Sequence, residues 1–290
     1  MKDIQSALAF ASSLPPRETA LLLAHVLGKS REWVFAHPEA QLSPEQQAQF
    51  ESLIAQAQSG TPLPYLLGYW EFFGLRFRIT PAVLIPRPET ELLVETALEN
   101  FKLQTQNLKI ADIGTGSGII AVTLAVNLPG AQITATDVSA GALEVAKANA
   151  LAHRVADRIT FIQSDLFSNF KLPNSAALQA SKRHRMSFDL ICANLPYIAS
   201  GELTTLPIAK HEPLIALDGG ADGLRVISRL LAEAESHLSP GGVILAEIAA
   251  SQGNAVLEIA KHYFPDASAQ VMKDLAGLDR VLVLQMRNAE

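Results

Sequence analysis

Beyond residue 108 the chain alternates, and that alternation limits its fold more than any other feature. Short apolar runs at Lys109–Ile113, Ile133–Asp137, Ile159–Gln163, Phe188–Ala193 and Val243–Ile248 are separated by helically spaced stretches such as IIAVTLAVNL, SAGALEVAKANALAH and GLRVISRLLAEAESHL. A strand buried on both faces reads as a continuous apolar run, and a parallel neighbour requires a crossover long enough for a helix. The pattern therefore predicts an α/β fold, a parallel sheet covered by helices. The tail, SAQVMKDLAGLDRVLVLQMR, holds two further strand-like runs joined by a short glycine-containing loop with no room for a crossover. Its last strand is expected to run antiparallel, which makes the sheet seven-stranded.

The first part of the chain has a different character. Residues 1 to about 60 show helical spacing punctuated by Pro15-Pro16, Gly28 and Ser43-Pro44, which predicts a small helical bundle. From Tyr69 to Ile85 the residues become aromatic and β-branched around Gly74, as in a β-hairpin. The expected organisation is a helical domain over 1–68, a hairpin linker over 69–85 and the sheet domain over 86–290. A polar stretch, KLPNSAALQASKRHRMS at 171–187, fits none of these; it reads as an over-long loop carrying the basic cluster Lys182-Arg183-His184-Arg185.

Composition narrows the function classes. No apolar stretch approaches the roughly 18 residues of a membrane span, and the N-terminal apolar patch carries Asp3 and helical spacing, so it reads as a first helix rather than a leader. The single cysteine, Cys192, excludes an internal disulfide framework and a cysteine-based metal site and points to a reducing cytoplasm. A formal net charge of −6 argues against a surface built throughout for nucleic acid.

ADIGTGSGII, 111–120, follows the first predicted strand of the sheet and opens a helix. Gly114, Gly116 and Gly118, with Thr115 and Ser117 between them, allow a sharp turn and a close backbone approach to a ligand. The dinucleotide fingerprint fails, because its third glycine would fall on Ile119. Asp112 just before the loop repels a pyrophosphate and suits a ligand carrying an ammonium or sulfonium, which favours S-adenosylmethionine over NAD. Asp137 ends the second strand, where an acid can accept bonds from both ribose hydroxyls. Asp165, at the end of the third, is placed to read an adenine edge, with Leu166 packing on the base.

After the fourth strand comes Asn194-Leu195-Pro196-Tyr197. Asn and Pro are common turn residues, and a plain turn is the simple alternative. The chemical reading is a clamp for an NH2 group. The Asn194 side-chain oxygen and a backbone carbonyl of the turn would accept its two N–H bonds, Pro196 would stiffen the turn, and the Tyr197 ring would pack on the planar group. An amide or exocyclic amine nitrogen is a poor nucleophile because its lone pair is delocalised, so alignment is what such a site must supply.

The order of glycine loop, acid after the second strand and Asn-Leu-Pro-Tyr after the fourth resembles the class I N-methyltransferases of planar NH2 groups, whose sheet is Rossmann-like. The stretches PLPYLLGYWEFFGLRFRIT (62–80), VLIPRPETELLVE (83–95), EPLIALDGGADGL (212–224) and DLAGLDRV (274–281) narrow the resemblance to the release-factor glutamine N5-methyltransferases, the PrmC or HemK family. The resemblance covers nearly the whole chain. It implies a cytoplasmic, monomeric enzyme that transfers a methyl group from S-adenosylmethionine to the glutamine amide of the Gly-Gly-Gln loop of a peptide chain release factor, with the helical domain helping to dock that factor. Stable binding to nucleic acid or membrane is not part of this expectation. Carried over by position, Gly114 to Gly118 and Asp137 would bind the cofactor with Leu166 near the adenine, Asn194 to Tyr197 would hold the glutamine with Asn194 also touching the cofactor, and Arg87-Pro88-Glu89-Thr90 would wall the site. The chain departs from the family at Leu195, where Pro is usual, at Ala249, where Gly is usual, and in the length of 171–187. From the residues alone, a DNA or RNA amine methyltransferase and a non-catalytic cofactor-binding module remain as alternatives.

Overall fold

The computed structural model describes residues 2–101, 107–170 and 186–287, and the chain divides into two compact units, residues 1–70 and 71–290. The basic cluster Lys182-Arg183-His184-Arg185 lies outside the described residues. No helix among them is long and apolar enough to cross a membrane.

The first unit contains helices α1 (Ile4–Phe10), α2 (Pro16–Leu27), α3 (Arg31–Ala36), α4 (Pro44–Gln58) and α5 (Leu63–Leu67). Local chemistry sets their ends. Asp3 caps α1 by accepting from Ser6 N at 2.8 Å, and Ser43 and Gln46 form a reciprocal capping box at the start of α4. Gly28 and Gly68 end α2 and α5 in the left-handed region. The apolar faces meet in a core built around Leu22, Leu23, Phe50 and Ile54.

A hairpin follows, β1 (Tyr69–Phe72) and β2 (Leu75–Arg78), and the boundary between the units falls inside its first strand. Both turn residues, Phe73 and Gly74, have positive φ, 51° and 71°, which matches the twist of a two-residue hairpin. The predicted linker is therefore strand only to Arg78; Ile79 to Glu89 is irregular.

The second unit continues through α6 (Thr90–Phe101), β3 (Lys109–Ile113), α7 (Ile119–Asn127), β4 (Gln132–Asp137), α8 (Ala140–Ala152), β5 (Ile159–Gln163) and β6 (Phe188–Ala193). Then come the short β7 (Ile198–Ala199), α9 (Ser200–Leu203), β8 (Asp218–Gly220), α10 (Arg225–Ala234), β9 (Leu238–Glu247), α11 (Gly253–Tyr263), β10 (Ser268–Lys273) and β11 (Asp279–Gln285). The main sheet has seven strands in the order β10-β11-β9-β6-β3-β4-β5. Only β11 runs against its neighbours, as the tail pattern requires. Strand β9 begins earlier than its apolar run because Leu238 pairs with Phe188 across an irregularity before Val243 meets Leu190. The paired β7 and β8 have no periodic signal in so few residues.

This topology fixes where a ligand can go. The chain leaves β3 toward β4 and β5, then returns to β6 on the other side of β3. The loops after β3 and β6 part above the sheet's carboxyl edge, the place where open α/β sheets bind ligands. Beneath them Ile113, Ile191, Ile244 and Leu282 belong to one buried core.

Candidate active site

The glycine loop is shaped by packing at two positions and left open at one. Gly114, Gly116 and Gly118 have φ of 75°, 56° and 81°. A Cβ on Gly114 would stand 2.8 Å from Leu195 Cδ2, and one on Gly118 would stand 3.1 Å from Ala146 Cβ, whereas one on Gly116 would meet nothing within 4 Å. Thr115 N donates to Thr136 O at 2.7 Å, and the side-chain amide of Asn149 on α8 donates to Ser117 O at 2.8 Å. Asn149 also pairs with both backbone groups of Arg78 in β2, so one buried amide ties hairpin and loop together.

Asp112 is fully buried under this loop and does not line the cavity described below. Its Oδ2 accepts from Thr115 Oγ1 at 2.6 Å and from Ala121 N at 3.1 Å, joining the loop to the first turn of α7. Burial pushes its carboxyl up to about 7, against the pull of those two bonds. It holds the loop in shape rather than facing a ligand's charge.

Asp137, at the end of β4, does reach the cavity. Its two oxygens accept from Ser139 N at 2.8 Å and Gly116 N at 2.9 Å. Burial raises its pKa while these backbone bonds lower it. A carboxylate offers about four acceptor sites, so acceptor capacity remains for a ribose hydroxyl. Asp165 stands on the rim in an exposed ion pair with Arg229 at 2.9 Å, and Leu166, at φ 49°, is buried in the wall.

The turn after β6 forms the opposite bank. The Asn194 amide nitrogen donates to Glu247 Oε2 at 2.9 Å and to Thr90 Oγ1 at 3.0 Å. Thr90 Oγ1 itself donates to Glu247 Oε2 at 2.7 Å, and the Tyr197 hydroxyl donates to Glu247 Oε1 at 3.2 Å. Behind the turn, Gln252 donates to Tyr197 O at 3.0 Å. A Cβ on Gly219 would stand 2.8 Å from Pro196 O, and one on Gly223 would collide with Tyr197 O, so the DGGADG segment lies on the turn's carbonyls in backbone contact. Its glycines are there because no side chain fits.

Between the banks lies a cavity of about 440 Å3, lined by Gly114 to Ser117, Asp137, Asp165, Leu166 and Asn194 to Pro196, with Arg87 and Thr90 on one wall. Tyr197 is not among the lining residues; its hydroxyl is engaged on Glu247. The open side of Gly116 and the free acceptors of Asp137 fit a ribose-bearing ligand such as S-adenosylmethionine. A pyrophosphate would meet the carboxylate of Asp137.

Comparison with known proteins decides the family. The PrmC N-terminal domain matches residues 1–68, and the methyltransferase small domain matches residues 88–210. A release factor glutamine methyltransferase of Moorella thermoacetica is 39% identical over 274 residues, 94% of this chain and 92% of that one. The chain belongs to the release factor glutamine methyltransferase family. The relative from Coxiella burnetii is 38% identical over 284 residues, 97% of this chain and 96% of its own. Among solved structures, a methyltransferase from Pyrococcus furiosus matches with a TM-score of 0.50 at 19% identity, over 85% of this chain and all (100%) of that one. That last likeness speaks for the fold alone.

In this member of the family the residues that sequence reasoning missed are the ones behind the turn. The sequence pattern sets Glu247 at a strand end and Thr90 in a wall of the site, and it marks neither Gln252 nor Asn149. Glu212 is nearly fully buried, accepts from Ile85 N at 3.0 Å and pairs with Arg87, which fixes the PRPET segment along the cavity. The available signal was acids and amides inside otherwise apolar or glycine-rich stretches, since such groups are buried only when they have partners.

Proposed function

We propose that this chain methylates the side-chain amide nitrogen of the glutamine in the Gly-Gly-Gln loop of a peptide chain release factor, using S-adenosylmethionine. The observation that carries the reading is the state of Asn194. Its amide nitrogen is turned to Glu247 and Thr90, so the group it offers to the cavity it lines is the oxygen, an acceptor. With a relative 39% identical across 94% of the chain, the acceptor site has a matching substrate, an NH2 group on a protein.

S-adenosylmethionine, when bound, supplies a methyl group activated by its sulfonium. The chain's own residues do the rest. Asp137 holds the ribose hydroxyls, and Gly116 gives the backbone room to lie against the ligand. Asn194 Oδ1 accepts one N–H of the glutamine amide. The Leu195 carbonyl accepts the other, since the Pro196 carbonyl lies against Gly219 and the Tyr197 carbonyl is taken by Gln252. Held by both hydrogens, the nitrogen presents its face toward the methyl donor, and alignment replaces the nucleophilicity that delocalisation removes. A substrate lacking the NH2 group would leave two acceptors unsatisfied, at about 1–3 kcal/mol each.

The helical unit is the docking module in this reading, and the protein acts as a monomer on a protein rather than on nucleic acid. The test is incubation of the purified chain with methyl-labelled S-adenosylmethionine and, in parallel, a release factor, the same factor with its loop glutamine replaced by alanine, or nucleic acid. Label is expected only on the intact factor. Label on nucleic acid alone would overturn the reading.

A further inference from the structure

An asparagine amide has nearly the same shape in its two orientations, so only its hydrogen-bond partners decide whether oxygen or nitrogen faces the cavity. Here the partners leave no choice. Glu247 is buried with three donors directed at it: Thr90 Oγ1, Asn194 Nδ2 and the Tyr197 hydroxyl. An ionised carboxylate only accepts. Thr90 has given its one hydroxyl proton to Glu247, so toward Asn194 its oxygen can only accept as well. A flipped Asn194 would set its carbonyl oxygen against two lone-pair donors at 2.9 and 3.0 Å.

We propose that Glu247 is a positioning residue of the methyl transfer: its charge, relayed in part through Thr90, latches the Asn194 amide with the oxygen toward the substrate and so makes the site accept an NH2 group and refuse a carboxylate or ester oxygen. This rests on the glutamine methylation proposed above and adds what sets the specificity. Glutamate in place of the target glutamine would meet two acceptors with two acceptors.

The groups facing Glu247 define how the latch responds to pH. Burial raises its carboxyl above the ordinary glutamate range; the bonds from Thr90 and Tyr197 and the charge of Arg280 on β11 lower it, and Glu89 beside α6 raises it. Arg87 acts on the same cluster through Tyr197. The latch needs the ionised form, so turnover falls as pH drops through this raised value.

Glu247→Gln keeps the shape and removes the charge. The new amide can pair with Asn194 in either orientation, so kcat on the release factor is expected to fall about tenfold or more, while the dissociation constant for S-adenosylhomocysteine stays within about twofold because Glu247 does not line the cavity. The acid limb that belongs to Glu247 should vanish from the pH profile of kcat; any limb left by another group would persist. Thr90→Val should lower kcat as Glu247→Gln does, and Thr90→Ser should restore activity. Unchanged kcat and pH profile in E247Q, or no recovery in T90S, would overturn the latch.

A second readout does not depend on methyl transfer. In 15N spectra the side-chain NH2 of Asn194, assigned by its loss in N194D, should exchange slowly with water in the wild type and faster in E247Q. Equal exchange overturns the proposal. A wild type that methylates no release factor but shows the protected NH2 would sink the proposed function and keep the latch.

Discussion

The two banks of the cavity are held together in different ways. On the cofactor side, the hydrogen bonds that shape the loop span fewer residues: three from Asp112 to Thr115, 21 from Gly116 to Asp137 and 32 from Ser117 to Asn149. On the amide side, Asn194 reaches 104 residues back to Thr90 and 53 forward to Glu247, and Thr90 and Glu247 are themselves 157 apart. The first bank is mostly backbone, bent at glycines and pinned by one strand end. The second is three side chains from separate segments of the chain, which meet only once the sheet has formed. The glycine-loop bank draws on nearby segments of the chain; the amide bank requires the assembled fold.

The comparison makes separate claims about rate and binding. Asn194→Ala should cut kcat by something on the order of 10^2–10^3, the scale of losing one well-placed polar group, and leave cofactor affinity near that of the wild type. Asp137→Ala should do the reverse, weakening cofactor binding roughly ten- to hundredfold by calorimetry, since it removes the bond from Gly116 N and the acceptors that the proposed function assigns to the ribose. If both variants lost affinity and rate together, the division between the banks would fail.

Within the cofactor bank, Gly114→Ala and Gly116→Ala both force a side chain into the left-handed region, at about 1–2 kcal/mol each. Only the alanine at 114 also presses on Leu195, so in urea unfolding it should be less stable than the 116 variant by about 1–3 kcal/mol. Equal losses would mean the banks do not touch there. Leu195→Pro should keep activity within about tenfold, near 1.4 kcal/mol in the barrier, because the carbonyl survives and the added restriction falls on Asn194.

A further effect is a change in how stability depends on pH. A buried Asp112 keeps its proton in the folded protein up to about 7, whereas the unfolded chain releases it near 3.8. The folded state therefore binds more protons between those values, and that contribution to stability is lost as pH rises through them. Thermal midpoints of the wild type should fall relative to Asp112→Asn as pH climbs from 4 to about 7 and run parallel above it.

The same contrast explains what could be read in advance. The strands Lys109–Ile113, Ile159–Gln163 and Phe188–Ala193 were legible to the residue because apolar runs bounded by turns carry their own limits. The glycine loop and Asp137 were legible because their spacing is local. The direct contact expected of Asp112 was not found, because a sequence does not say on which side of a loop a carboxylate lies. The bond between Thr90 and Glu247 was not legible, because hydrogen bonding across 157 residues leaves no periodic trace.

Asn149 bears on where the catalytic unit begins. Its one amide is satisfied by the Arg78 backbone and by Ser117, so strand β2 supplies hydrogen bonds that the cofactor loop's own anchor depends on. A fragment cut at residue 86, the expected start of the sheet domain, would lose both bonds between that amide and Arg78 and keep only the one to Ser117. Cut at 71, it would keep all three. Strand β2, read as part of a linker, then belongs with the sheet unit.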